Sequence, residues 1–250
     1  MPIKLAIEGA IARILLSNPA KHNALTAESL ALFMDHLDAV SANGAIRALI
    51  ITNSGGKTFC SGAALQQLAS GAMSGELFST LTDKVTAMAI PTIAAINGNA
   101  YGGGAELALS CDFRIGGQGI RVFVPPARIG LCYPLRGMQR FVGRLGVTTA
   151  KRLLIGGEEF AGQQLLELGF LTHLVAPEAV ESTANAMANS IAELAPVAVQ
   201  TMKLLCDGIA AGHCDGQIAQ RLIDRCNQSD DLREGLAAVA EKRSPVFKGV

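Results

Sequence analysis

Two glycine-bearing stretches, Thr58–Leu65 (TFCSGAAL) and Asn97–Leu107 (NGNAYGGGAEL), hold the residue types that chemistry at a carbonyl oxygen needs. Gly102, Gly103 and Gly104 stand at the start of an apolar helical stretch, where each costs about 1 kcal/mol relative to alanine. They leave a helix N-terminus whose bare backbone N–H groups a ligand atom can approach closely. With Ala63 and Gly103 side by side, two main-chain N–H groups make a pocket for an oxyanion, in which one donor is worth roughly 10²–10³ in rate. Close helix–strand packing without a ligand is the other reason for such a glycine run. Glu106 follows Gly103 by three residues. Taken alone it is a first-turn carboxylate favoured by the helix dipole, or a capping-box partner. Beside an oxyanion pocket it becomes an acid/base group directed at the same site.

The elements that must position these stretches are legible around them. Each follows a short apolar run, residues 47–52 (RALIIT) and 92–96 (TIAAI), that reads as a buried strand. Upstream, Ile3, Leu5 and Ile7 alternate with polar or small residues, and Gly9 turns the chain into a second strand over 11–16. Thr26 is a candidate N-cap for a helix carrying Leu30, Phe33, Leu37 and Val40, which Asn43-Gly44 ends. A helix over about 77–88 precedes Pro91. The repeated strand, turn, helix, strand order predicts a layered α/β fold. Beyond residue 135 strands nearly vanish. Val180, Ala184, Met187, Ile191 and Leu194 share one helix face, Pro196 opens another helix, and a last helical segment runs from Ile218 to Ala240. A soft boundary near Pro196 divides an α/β core, 1–195, from an all-helical region, 196–250.

Composition narrows the function further. The chain has 21 Lys+Arg against 21 Asp+Glu, a formal net charge of zero and 50% hydrophobic residues. A large core, or surface hidden in an oligomer, follows. There is no basic stripe for nucleic acid, and two Tyr, nine Phe and no Trp leave little for base stacking. Six cysteines without a C-x-x-C pair and four histidines without ligand spacing predict no metal site and a reducing, cytoplasmic compartment. Lys4 and Glu8 interrupt any signal-peptide pattern, and Pro91, Asn97, Asn99 and the glycines interrupt the one uncharged window, so no membrane association is expected. Gly56-Lys57-Thr58 lacks the first glycine of a phosphate-binding loop, Ile51 standing in its place. No G-x-G-x-x-G or G-x-S-x-G pattern is complete.

Together, FCSGAAL and INGNAYGGGAEL resemble the signature of the crotonase superfamily, the enoyl-CoA hydratase/isomerase fold. Further matches run along the chain: Asn18–Leu25 (NPAKHNAL) to N-P-x-x-x-N-A-L, Val122–Gly130 (VFVPPARIG) to F-x-x-P-E-x-x-L-G, Glu167–Val175 to A-x-x-x-G-L-V-x-x-V, and Glu241–Phe247 (EKRSPVF) to E-K-R-x-P-x-F. The resemblance implies a spiral of ββα repeats with a C-terminal helical trimerisation region, assembled as a trimer or a dimer of trimers. It implies acyl-CoA thioester substrates and no separate cofactor, CoA being part of the substrate. The thioester oxygen would sit between the N–H groups of Ala63 and Gly103, with Glu106 as acid/base. Substrate and CoA contacts would come from Lys21, His22, Ala24, Ser61, Ala64, Leu65, Tyr101, Gly102, Pro126, Leu131, Phe247 and Lys248, although Lys21 and Lys248 also read as ordinary surface lysines.

The sequence departs from that pattern at informative places. The second glutamate of a typical hydratase aligns with Pro126, which exchanges no proton, and the aspartate that commonly follows the first oxyanion residue is Ala64. Ile129–Pro134 resembles the L-G-V-P-Y-N segment of the methylmalonyl-CoA decarboxylase branch, where a tyrosine matching Tyr133 borders the acyl pocket; a loop tyrosine tying down backbone is its plainer reading. Three functions therefore stand open: an enoyl-CoA hydratase/isomerase type of enzyme working through an enolate, a decarboxylase of malonyl- or methylmalonyl-CoA, and a CoA-binding protein without catalysis.

Overall fold

The computed structural model describes residues 2–250. Ile3–Glu8 (β1) and Ile11–Leu16 (β2) pair antiparallel about Gly9, whose φ of +58° suits glycine. Ala27–Ala42 (α1) starts at Thr26, whose hydroxyl accepts the Ser29 N–H while the Ser29 hydroxyl accepts the Thr26 N–H. The chain then coils. Ala48–Asn53 (β3) passes to Thr58–Cys60 (β4) and two helices, Leu65–Ala69 (α2) and Gly75–Thr86 (α3). Thr92–Ile96 (β5) passes to Asn99–Tyr101 (β6) and Gly103–Leu109 (α4), and Phe113–Gly117 (β7) to Arg121–Phe123 (β8) and Leu135–Leu154 (α5). Glu159–Ala161 (β9), Gln163–Glu167 (α6) and His173–Val175 (β10) close the strands.

Successive turns of this coil deposit one strand in each of two sheets. The larger has the order β1-β2-β3-β5-β7-β10 and is parallel apart from β1–β2; the smaller has the order β4-β6-β8-β9 and is parallel apart from β8–β9. This is the spiral of ββα repeats that the motifs imply. Strands covered on both faces read as unbroken apolar runs. In β3, Leu49 and Ile51 enter the main core with Phe33 and Leu37, while Ala48 and Ile50 meet Val180, Ala184 and Ala188 of Val180–Ala192 (α7). Met187 and Ile191 pack half-buried beside them, but Leu194 lies past the helix end and is exposed, because the helix stops at Ala192.

Pro196–Ala210 (α8), Gly216–Asn227 (α9) and Asp230–Glu241 (α10) form the helical region. The single last segment expected from Ile218 to Ala240 is instead two helices. Ser229 divides them, its hydroxyl accepting the Leu232 N–H as the N-cap of α10. Lys203 ties α8 to the core through Asp112 at 2.5 Å and the Thr86 carbonyl at 3.3 Å. No helix among the described residues is long and apolar enough to cross a membrane.

Candidate active site

The first glycine stretch leaves β4 as an extended loop against Leu25. The Leu25 N–H donates to the Gly62 carbonyl and the Ala64 N–H to the Leu25 carbonyl, both at 2.8 Å, so the Ala63 N–H between them is left out of the bridge. The second stretch starts α4, where the first N–H groups have no carbonyl to pair with. Neither the Ala63 nor the Gly103 N–H has a hydrogen-bond partner among the described residues.

Glycines set how closely the two loops approach. A Cβ on Gly62, whose φ is +82°, would lie 2.5 Å from the Gly103 nitrogen, and one on Gly104 would lie 1.9 Å from the Cys60 carbonyl oxygen. Cys60 supports the turn from beneath: its sulfur accepts the Gly62 N–H at 3.3 Å and lies 3.4 Å from the Asn23 carbonyl. Burial pushes this thiol up to about 12, so it remains a neutral group.

Ala63, Gly103 and Glu106 open into one cavity of about 350 Å³, whose apolar wall includes Leu68, Phe78, Phe123, Val124, Pro125, Ile129 and Pro134. Glu106 is the only charged residue of that lining. Its side chain is 2% exposed, and both oxygens are held. Oε1 accepts from Arg140 Nη1 at 2.7 Å and from the Thr82 hydroxyl at 2.9 Å; Oε2 accepts the Tyr133 hydroxyl at 2.8 Å. Arg140 continues to Asp83 at 2.7 Å, Asp83 to Arg136 at 2.8 Å, and Arg136 to Glu76 at 2.8 Å, so alternating charges lead from the buried carboxylate to the surface. Burial, and then the adjacent Glu106 carboxylate, raise the Tyr133 phenol well above its ordinary value of 10 and keep it protonated. The ring stands edge-on to Phe141 at 5.6 Å and over Gly137, where a Cβ would lie 2.4 Å from Tyr133 Cε1.

Two N–H donors beside a buried, ion-paired carboxylate and an apolar chamber are an arrangement that can hold a carbonyl oxygen while charge develops on it. The model of the family described as enoyl-CoA hydratase/isomerase matches residues 6–250. The chain belongs to that family. It is 30% identical to a short-chain-enoyl-CoA hydratase of Clostridium acetobutylicum, over 94% of this chain and 93% of the relative. It is 31% identical to a crotonyl-CoA hydratase of Syntrophomonas wolfei, over 98% and 97%. Among solved structures, an enoyl-CoA hydratase from Bacillus anthracis superposes with a TM-score of 0.90 at 29% identity, covering all of both chains.

In this enoyl-CoA hydratase/isomerase family member, Ser61, Ala63, Leu65, Tyr101, Gly102, Gly103, Glu106, Pro126, Leu131 and Tyr133 meet at the cavity. Lys21, His22, Ala24 and Ala64 do not line it. Ala64 belongs to the first loop and is held by its bond to the Leu25 carbonyl, while the segment carrying Lys21, His22 and Ala24 runs beside that loop, where the His22 carbonyl accepts the Ser61 N–H at 3.1 Å and His22 Nδ1 lies 3.3 Å from the Thr58 hydroxyl. Phe247 and Lys248 are not brought to the cavity of their own chain either. Asp231 accepts the Lys248 and Gly249 N–H groups, which seats the closing segment on α10, with Gly249 near Arg47 at the start of β3. The capping-box alternative for Glu106 fails, since its carboxylate points to Arg140, Thr82 and Tyr133. Arg140 and Thr82 were not among the residues singled out from the sequence. The available signal was Glu106 itself, a lone carboxylate in an apolar run that requires a buried cation.

Proposed function

We propose that the protein is an enzyme acting on acyl-CoA thioesters, of the enoyl-CoA hydratase type. Its thioester oxygen is held between the Ala63 and Gly103 N–H groups, an enolate forms there, and Glu106 takes and returns the proton. One observation carries this reading: two unpartnered N–H groups from distant loops open into the cavity that holds Glu106, three residues along the same helix. Two such donors stabilise the enolate oxygen by hydrogen bonds fixed before the reaction. CoA belongs to the substrate, and the chemistry calls on no other cofactor.

Pro126 supports a second reading. It lines the cavity where the family pattern has its second glutamate, so no second carboxylate is available there. Loss of CO₂ from a malonyl-type thioester needs the same oxyanion pocket and no second base, with Tyr133 bordering the acyl group. Mass-spectrometric screening of the purified protein against enoyl-, 3-enoyl- and malonyl-type CoA esters decides among these. Addition of water to an enoyl-CoA supports the first reading and CO₂ release the second. Calorimetric CoA binding without any turnover leaves a non-catalytic binding protein.

Residues 196–250 are the proposed assembly region, forming a trimer or a dimer of trimers. Met202, Leu204, Ile209, Leu236 and Val239 are exposed on its helices, more apolar surface than a lone chain would leave in water. Six free cysteines support a reducing, cytoplasmic setting.

A further inference from the structure

Adding water across an enoyl thioester requires a proton to leave the water and a proton to reach Cα. Resting on the hydratase reading, the question is which group exchanges them in a cavity with one carboxylate. Each carboxylate oxygen offers two lone pairs. Those of Glu106 Oε1 are taken by Arg140 and Thr82, and Oε2 has one of its two engaged by the Tyr133 hydroxyl, the one side-chain donor that both lines the cavity and reaches the carboxylate. Of the hydroxyl-bearing residues that line the cavity, Ser61, Tyr101 and Tyr133, only Tyr133 touches Glu106 among the described residues. Tyr101 is engaged instead by Asn99, which donates to its oxygen at 2.7 Å.

We propose that Tyr133 is the residue that exchanges protons with the substrate, passing them along its hydrogen bond to Glu106. As the water oxygen bonds to Cβ, one water O–H breaks and its proton goes to the phenol oxygen. The original phenol proton crosses to Glu106 Oε2, and the C=C π pair moves onto the thioester oxygen as the enolate. In the second half the proton on Oε2 returns to the phenol oxygen, the phenol's other proton forms the Cα–H bond, and the enolate pair collapses into it. Phenol and carboxylate end as they began. At no stage does a phenolate stand beside an ionised Glu106. Arg140 and Thr82 hold Oε1 throughout, so the exchange runs through Oε2 alone.

The test replaces Tyr133 with a series of fluorinated tyrosines of falling phenol pKa, which keep the ring and its packing, and compares them with Tyr133→Phe on the enoyl-CoA that the wild type hydrates. The expected result is a kcat that changes steadily with phenol acidity, and a kcat for Tyr133→Phe reduced about 10²–10⁴-fold with little change in KM. A kcat that is flat across the series overturns the proposal, even if Tyr133→Phe is impaired, because a merely structural tyrosine gives that pattern. Failure of the wild type to hydrate any enoyl-CoA overturns the hydratase reading, and this proposal with it.

Discussion

Glu106 carries the most interactions in the cavity, with three side chains on a carboxylate that is nearly out of contact with solvent. Glu106→Gln keeps the shape and removes the charge, and is expected to abolish turnover, a loss of at least 10²-fold in kcat measured on the screened substrate. Arg140→Leu strands the carboxylate in the interior. Removing one partner of a buried pair costs about 3–5 kcal/mol, which calorimetry will read as a lower Tm. Cys60 and Cys111 are pushed up to about 12 by burial, so their thiols stay neutral at neutral pH, while Cys132, Cys206 and Cys214 are exposed. Alkylation of the native protein at pH 7.5 followed by peptide mapping will find Cys132 modified and the two buried thiols untouched. Legibility differed among the site residues for physical reasons. Ala63, Gly103 and Glu106 could be read because consecutive glycines and a lone charge in an apolar run are costly unless they serve something. Arg140 could not, since it sits in α5 among Arg136, Arg144, Lys151 and Arg152 and has the pattern of a solvated helix. Only the packing of α5 against α3 and α4 identifies it.

At the level of elements, the approach of the β4 loop to the start of α4 creates the site, and glycine makes it possible. Gly104→Ala sets a Cβ against the Cys60 carbonyl, a backbone atom that no rotamer change can move aside. Overpacking of this kind costs about 1–3 kcal/mol or more, and here it also spreads the two N–H donors apart. A lowered Tm together with a kcat reduced by 10²-fold or more is expected, the rate loss of an oxyanion site with a misplaced donor. The strands that carry these loops were legible because burial on both faces leaves runs such as RALIIT and TIAAI. The order of strands in the two sheets was not, because it depends on how successive turns stack and no local pattern encodes that. The closing segment has its own electrostatic tie. Hydrogen bonds from Arg243 and the Val246 N–H pull the Glu234 carboxyl down to about 2. A depressed carboxyl stabilises the fold above its unfolded value of about 4.5 and loses that contribution as pH falls toward 2. Proteolysis of residues 242–250 is therefore expected to speed up between pH 4.5 and 2, measured with an acid-active protease, and less so in Glu234→Gln, where the tie is already weakened.

For the whole molecule, the α/β coil and the helical region differ in how much apolar surface they leave uncovered. The coil buries β3, β4 and β5 on both faces, whereas α9 buries no residue fully and Leu236 and Val239 of α10 are 65% and 79% exposed. Wild-type protein is expected to elute as a trimer or hexamer with light-scattering detection, and Leu236→Asp with Val239→Asp to shift it toward monomer. The low charge content of the sequence points to a large core or to surface hidden in an oligomer, and the exposed apolar residues of α8 and α10 are where we propose such an assembly surface lies. The composition could not locate it because an amphipathic helix has the same pattern whether its apolar side meets its own core or a second chain. The proposed function turns on the placement of two main-chain amides on one oxygen. Difference infrared spectroscopy of crotonyl-CoA carrying ¹³C at the thioester carbonyl, bound to Glu106→Gln, reports on that placement directly. A carbonyl band shifted to lower frequency on binding is the expected result, and a bound ligand whose carbonyl band stays at its position in water would contradict it.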